Sequence, residues 1–279
     1  MFCYAFALGL KSKGYDVFID EDSFIPRYTM TFEDVHFEQI FPHISFSRTP
    51  KGKFHFCCIQ GRRGKALRRL SNLFLSSKYI EESSFEEILD VEKIISSNCC
   101  FIGQWQSEKY FGHAETEVRR QFEFLPFDEE KNIELANKMK MEESVAIHIR
   151  KGKDYSIPFF SQTCPVEYYL NAIDYIKNNK KDPTFYVFTD NPEWVSENLS
   201  DFEYKLVDWN PTCGSRNFRD MQLMSCAKHN IIANSSYSWW GAYLNPNPDK
   251  IVVAPSQWFS PNEVGYKNNN IVPCDWIKM

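Results

Sequence analysis

From Val145 onward, apolar residues fall in short runs separated by longer amphipathic stretches. Residues 145–149, 184–189, 204–207, 230–233 and 251–254 are rich in β-branched or aromatic side chains and have strand length. Helical periodicity fills the gaps. Over 165–177, Pro165 suits a first turn, and Val166, Tyr169, Leu170, Ile173 and Ile176 form one apolar stripe. A short helix is predicted through Trp194 and Val195, and further helices over 217–226 and 238–244. Strands alternating with helices predict parallel βαβ units, in which ligands lie beyond the carboxyl ends of the strands.

The first half is less regular. An apolar helix over 1–13 leads into a strand at 15–19, followed by a Phe-rich segment over 24–56 with few clear periods. Asp128 is expected to cap a helix running through Lys138, and the halves are expected to divide near 141–144, giving domains 1–143 and 144–279. The basic run Gly61-Arg62-Arg63-Gly64-Lys65-Ala66-Leu67-Arg68-Arg69 reads as a solvated face; the alternative is attraction to an anionic acceptor or a membrane surface. There is no internal repeat and no low-complexity segment.

Composition narrows the class. A chain of 279 residues that is 43% hydrophobic and 25% charged is an ordinary globular protein of one large or two smaller domains. A net charge of -5 gives no reason to expect nucleic-acid binding. The 16% aromatic content suits stacking on sugars and bases, though aromatics more often fill cores. Nine cysteines, with adjacent pairs at 57–58 and 99–100 but no CxxC and no metal spacing, fit reduced thiols in a cytoplasmic protein. Residues 1–10 are apolar but lack a basic flank and are too short to span a bilayer, and no other run reaches that length.

Two strand ends carry the candidate chemistry. Val145-Ala146-Ile147-His148-Ile149-Arg150 places His148 and Arg150 on one face, and a guanidinium there matches a diphosphate bidentately. The alternative is a strand terminus with a solvated Lys/Arg turn. Downstream, Ala233-Asn234-Ser235-Ser236 joins a buried strand to a helix start, where free amides, hydroxyls and the helix dipole favour phosphate. The alternative is an ordinary N-cap. Asp190 ends another strand; it either reaches a nucleoside or caps the helix beginning at Pro192. Asp20-Glu21-Asp22 is a literal DxD, a spacing that can hold a metal ion, but so short a motif arises easily by chance.

Together these stretches resemble the bacterial α-1,2-fucosyltransferases of glycosyltransferase family eleven. His148-Ile149-Arg150-Lys151-Gly152-Lys153-Asp154-Tyr155 looks like the family's HxRxGDY signature, with Lys153 as an extra residue. The block from Asn230 to Leu244 is similar to IIANSSxSWWGAYL almost letter for letter. Gly103-Gln104-Trp105-Gln106-Ser107-Glu108-Lys109-Tyr110-Phe111 resembles GYWQSEKYF, and Val252-Val253-Ala254-Pro255 with Trp258-Phe259 resembles the closing strand motif. Met1-Phe2-Cys3-Tyr4-Ala5 looks like the tail of the opening GNQMFQYA, so the preceding strand and GxGNQ turn are expected to have been lost to an internal start or a truncation.

The resemblance implies an α/β protein of GT-B type, with two Rossmann-like domains and a cleft between them. It implies inverting transfer of L-fucose from GDP-β-L-fucose to the 2-hydroxyl of a terminal galactose, without a metal or other cofactor. Acceptors would include lipid-linked glycans, with at most peripheral contact at the inner membrane face. Arg150 and the Ser235/Ser236 turn would hold the leaving diphosphate. His148 would donate to phosphate, hold Arg150, or be a satisfied core residue; Asp154 would act as general base or orient the acceptor. Asn234 and Asp190 would lie on the donor side, Gln106 and Glu108 on the acceptor side or on ordinary surface, and Trp239 and Trp240 would anchor the phosphate turn. A non-catalytic nucleotide-sugar or glycan-binding protein is the alternative of a different class, and the same fold with another sugar donor is a further one.

Overall fold

The computed structural model describes residues 1–20, 37–49, 61–74, 78–82, 87–95, 98–152, 155, 163–200, 202–260 and 270–279. The chain forms two units: Met1–Thr31, His43–Gln121 and Asn269–Ile271 in the first, and Phe32–Pro42, Phe122–Asn268 and Val272–Met279 in the second.

The first unit contains helix α1 (Phe2–Ser12), strands β1 (Phe18–Ile19) and β2 (Ser47–Arg48), helix α2 (Gly61–Phe74), strand β3 (Lys78–Glu81), helix α3 (Val91–Ile94), strand β4 (Cys99–Ile102) and helix α4 (Glu115–Gln121). Among the described residues its strands form two parallel pairs, β1 with β2 and β3 with β4. The helix expected over 1–13 is present as α1, and nearly all of it is buried. Phe6 on α1 stacks on Trp105 with ring centroids 4.4 Å apart.

The second unit contains α5 (Glu130–Met141), β5 (Ser144–Ile149), α6 (Val166–Asn179), β6 (Thr184–Thr189), α7 (Pro192–Asn198), β7 (Lys205–Val207), α8 (Arg219–Ser225), β8 (His229–Ile231), α9 (Ser236–Leu244), β9 (Val252–Ala254) and β10 (Ile277–Lys278). Its sheet has the order β10-β9-β8-β5-β6-β7 with every pairing parallel. Counted from β5, this is the Rossmann order read from the other edge, and the direction of winding reverses between β5 and β8. On one face Val145, Ile147 and Ile149 of β5 join Phe185, Val187, Ile231 and Val253 against α6. Strand alternation turns Ala146 and His148 to the opposite face.

Two sequence expectations shift for physical reasons. The buried stripe of α6 is Tyr168, Tyr169, Ala172, Ile173 and Ile176, and Leu170 is 39% exposed. Tyr168 is drawn inward because its hydroxyl donates to the carbonyl of Ile232 at 2.6 Å, satisfying a polar atom that burial would otherwise strand. Asp128 does not cap α5, whose N-cap is Glu129 without a side-chain cap bond. Two guanidiniums claim Asp128 instead. Arg216 reaches it at 2.8 Å, and the buried Arg219 pairs with both Asp128 and Glu129. In the same region the second unit takes up the chain at Phe122. Helix α5 belongs to the second unit because fully buried Asn132 bonds to Trp209 Nε1 at 2.8 Å and to Asn210 at 2.8 Å.

Ile173→Ala is expected to cost about 2–4 kcal/mol of stability, and Leu170→Ala within about 0.5 kcal/mol, in denaturant unfolding. Equal costs would contradict the orientation of α6.

Candidate functional site

Residues Ile147 and Ile231 are direct partners in the β5–β8 register, so Arg150 and Asn234, each three positions on, emerge at the same end of neighbouring strands. That end is the crevice where the sheet reverses its winding. Ser235 follows a tight turn, its amide donating to the Ala233 carbonyl at 2.8 Å, and takes extended backbone as N-cap of α9. Its side chain makes no cap bond. Ser238 bridges the carbonyls of Ala233 and Ser235 at 3.4 and 3.3 Å and so performs the bracing within the turn. The hydroxyls of Ser235 and exposed Ser236 are thus not consumed by capping, and the first-turn amides of α9 have no acceptor within the helix. Trp239 and Trp240, 0% and 2% exposed, anchor this helix in the core, as expected of them.

Asn234 has a different task. It is 2% exposed, its amide donates to the Trp258 carbonyl at 3.1 Å, and its oxygen faces the Cys164 thiol at 3.6 Å. It braces the loop from within.

Asp190 neither caps α7 nor projects away from the protein. Its Oδ1 accepts the backbone amides of Lys151 at 2.7 Å and Gly152 at 2.9 Å. Asn191 caps α7 through the Trp194 amide at 3.0 Å and donates its own Nδ2 to the Lys151 carbonyl at 3.0 Å. The turn after β5 is therefore gripped from the end of β6. A Cβ at Gly152 would lie 2.6 Å from Asp190 Oδ2, so any larger residue there would push the carboxylate aside. Lys151 is turned inward as well: Nζ donates to the Cys164 carbonyl at 2.6 Å and lies 3.9 Å from the Tyr155 ring centroid and 4.8 Å from that of Trp194. Asp154 lies outside the described residues.

His148 is half-buried and its ring centroid lies 5.8 Å from that of Tyr237. Its Nδ1 is sealed from solvent without a hydrogen-bond partner among the described residues. Burial first, and the positive charge of Arg150 second, push its pKa down to about 3. The imidazole is neutral at physiological pH and is not a satisfied core histidine.

Periodicity missed two residues beside these. Tyr237 Oη donates to the Asn217 carbonyl at 2.5 Å and accepts the Met221 amide at 2.9 Å, tying the start of α9 to the start of α8. Asp220, in the first turn of α8, accepts from Asn210 at 2.8 Å, and burial pushes its pKa up to about 6. Helix α8 connects β7 to β8, so its amino end sits on the same side of the sheet as Arg150. Isolated polar residues within an apolar helix carry no spacing signal that would have found them.

Gln106 and Glu108 belong to the first unit. There Glu82 accepts the amides of Gln104 at 2.7 Å and Trp105 at 3.1 Å, holding Trp105 at a φ of 54°. Gln106 donates to Gln104 Oε1 at 2.9 Å, and Glu108 opens a short 3-10 turn capped by Ser107. Of the DxD, Asp20 accepts from the Thr49 hydroxyl at 3.3 Å, while Glu21 and Asp22 lie outside the described residues.

Comparison with known proteins meets this geometry at residues 60–279, which match the model of Glycosyl transferase family 11. The chain belongs to glycosyltransferase family 11. It is 31% identical over 221 residues to an alpha-1,2-colitosyltransferase of Escherichia coli, covering 77% of this chain and 73% of the relative. It is also 31% identical over 219 residues to the O-antigen biosynthesis glycosyltransferase WbnK of Escherichia coli, covering 74% of this chain and 70% of that protein. Two solved structures overlap more distantly. A mutant Arabidopsis thaliana FUT1 in complex with GDP has 12% identity and a TM-score of 0.43, covering 87% of this chain and 67% of its own. A family 9 glycosyl transferase from Veillonella parvula has 10% identity and a TM-score of 0.34, covering 79% of this chain and 68% of its own. As a family 11 member the protein is a glycosyltransferase, and its α/β organisation in two units with a parallel sheet accords with the GT-B type. No helix among the described residues is long and apolar enough to cross a membrane.

Two outcomes follow from the site's geometry. Asp190→Ala is expected to speed amide hydrogen exchange at Lys151 and Gly152 about tenfold or more, as loss of a charged acceptor predicts, and Gly152→Ala should do the same by displacing the carboxylate. Unchanged protection in both variants would refute the clamp. For His148, the folded pKa of about 3 lies below the unfolded value of 6.5, so its stability contribution is complete above pH 6.5 and declines as pH falls toward 3. Melting temperatures measured across that window should fall less steeply in His148→Phe than in the native sequence.

Proposed function

We propose that the protein transfers L-fucose from GDP-β-L-fucose to the 2-hydroxyl of a terminal galactose in a glycan, inverting the anomeric centre. The observation that carries this reading is the pairing of β5 with β8 at the reversal of the sheet, which brings Arg150 and the Ser235/Ser236 turn to one strand end. In-line displacement at the anomeric carbon gathers negative charge on the departing GDP while the sugar gains oxocarbenium character. A guanidinium, two serine hydroxyls and the first amides of α9 would meet that charge from fixed positions. Because these donors supply the positive potential, the transfer is proposed to need no metal ion. His148, neutral beside them, would donate to a phosphate oxygen or steady Arg150. The clamp of Asp190 on Lys151 and Gly152 would hold the stem from which Arg150 projects.

Asp154 would deprotonate the acceptor 2-hydroxyl or orient it, and Gln106 and Glu108 would contribute on the acceptor side. The acceptor would be a galactose-terminated glycan, lipid-linked substrates included.

A second reading keeps the site and changes the sugar. The Escherichia coli relative named as an alpha-1,2-colitosyltransferase favours a colitosyl donor with the same linkage.

Incubation with labelled GDP-fucose and lactose, alongside a colitosyl nucleotide donor, tests both readings. Fucosylation of the galactose 2-hydroxyl that persists in EDTA is expected. Donor binding without transfer to any galactoside would favour a binding protein, and transfer restored only by manganese would revive a metal mechanism. Arg150→Ala is expected to lower kcat by about 10²–10³-fold, the scale of one preorganised charge donor. A loss under about threefold in a folded variant would remove Arg150 from the assignment.

A further inference from the structure

Helix α2 is built inside out. Its buried positions are Gly64, Arg68 and Ser71, with Asn72 half-buried. Arg68 pairs with Glu81, and Asn72 exchanges hydrogen bonds with the Tyr79 backbone at 2.9 and 2.6 Å, while the buried Ser71 hydroxyl has no partner among the described residues. The apolar residues face outward instead, Leu67 being 37% exposed, Leu70 53% and Leu73 75%. Ala66, Leu70 and Leu73 stand at i, i+4 and i+7, a single ridge along the outer face. Arg62, Arg63, Lys65 and Arg69 are exposed around that ridge. The helix carries no acidic residue, in a chain whose net charge is -5.

We propose that this face of α2 docks on an anionic phospholipid surface. Arginine and lysine would meet the headgroups while Leu70 and Leu73 enter the boundary with the acyl chains, the division of labour of an interfacial helix. Charge complementarity selects this occupant. A second copy apposed through the same patch would set arginine against arginine across a two-fold axis. A nucleic acid would account for the cations and leave the leucine ridge facing water. The inference rests on α2 alone and is independent of the donor and acceptor assigned above.

Flotation of the full chain with vesicles of phosphatidylglycerol and phosphatidylethanolamine, against phosphatidylcholine vesicles, tests it. The protein is expected to float with the anionic vesicles only, and less at high salt. Each cation contributes about fivefold in affinity, so the double change Arg62→Gln and Arg69→Gln should weaken binding roughly 25-fold. Leu70→Ser with Leu73→Ser should weaken it about tenfold or more at any salt, with unchanged circular dichroism and unchanged turnover of a soluble acceptor. No binding to anionic vesicles, equal binding to phosphatidylcholine, or variants that bind as tightly as the native chain would overturn the proposal. So would a dimer in sedimentation that dissociates on Leu70→Ser, which would assign the ridge to a second copy.

Discussion

The direct parallel pairing of β5 with β8 is the constraint on which the candidate site depends. With no strand between them, the connection leaving β5 goes to α6 on one face, while α9, leaving β8, packs with α8 outside that face's core. A crevice opens above the two strand ends because the chain departs from it in opposite directions. Burial on both faces fixes the register. Sliding β5 by one residue would turn Val145, Ile147 and Ile149 out of the α6 core and bring His148 into it. The position of Arg150 is thus inherited from hydrophobic packing well beneath it.

A single chemical device steadies the turns at strand ends in both units. In the second, Asp190 from one strand end accepts two consecutive amides of the turn after its neighbour; in the first, Glu82 does the same for Gln104 and Trp105. Both turns contain a glycine whose missing side chain leaves room for the carboxylate, Gly152 and Gly103. Turns rich in unpaired amides would otherwise sample many conformations, and an anionic acceptor reaching two of them selects one. Burial raises the Glu82 pKa while the two amides oppose that shift, so the same hydrogen bonds that order the turn favour the ionised form.

Much of the second unit was legible because its strands are buried on both faces and read as near-continuous apolar runs. Strands 145–149 and 184–189 were expected almost as they stand in β5 and β6, and the Asn-Ser-Ser turn opens α9 where the sequence suggested. What periodicity could not supply were contacts between distant segments. Leu170 competes with Tyr168 for the core of α6, and only the carbonyls of Ile232 and Val253 decide in favour of the tyrosine. Asp128 looks like a cap until Arg216 and Arg219 arrive from a loop and a helix far along the chain. Asp190 was a candidate for nucleoside or cap because both are local options, whereas its partners belong to the neighbouring strand's turn. The segment that forms α2 was read only as a basic run over 61–69, and a run of cations does not say which side of a helix faces inward.

The anchoring of the segment after β5 bears on how its length can vary. Gly152 is held by Asp190; Tyr155 is held in turn, its amide donating to the Gly152 carbonyl at 3.0 Å and its hydroxyl accepting from the Cys164 amide at 2.9 Å. Lys153, the residue supernumerary to the family signature, falls between these two moorings. The bond from the Tyr155 amide to the Gly152 carbonyl spans three positions, so it ties the interval to this length. Adding or removing a residue in this interval would therefore cost that hydrogen bond, and with it the link between the two moorings.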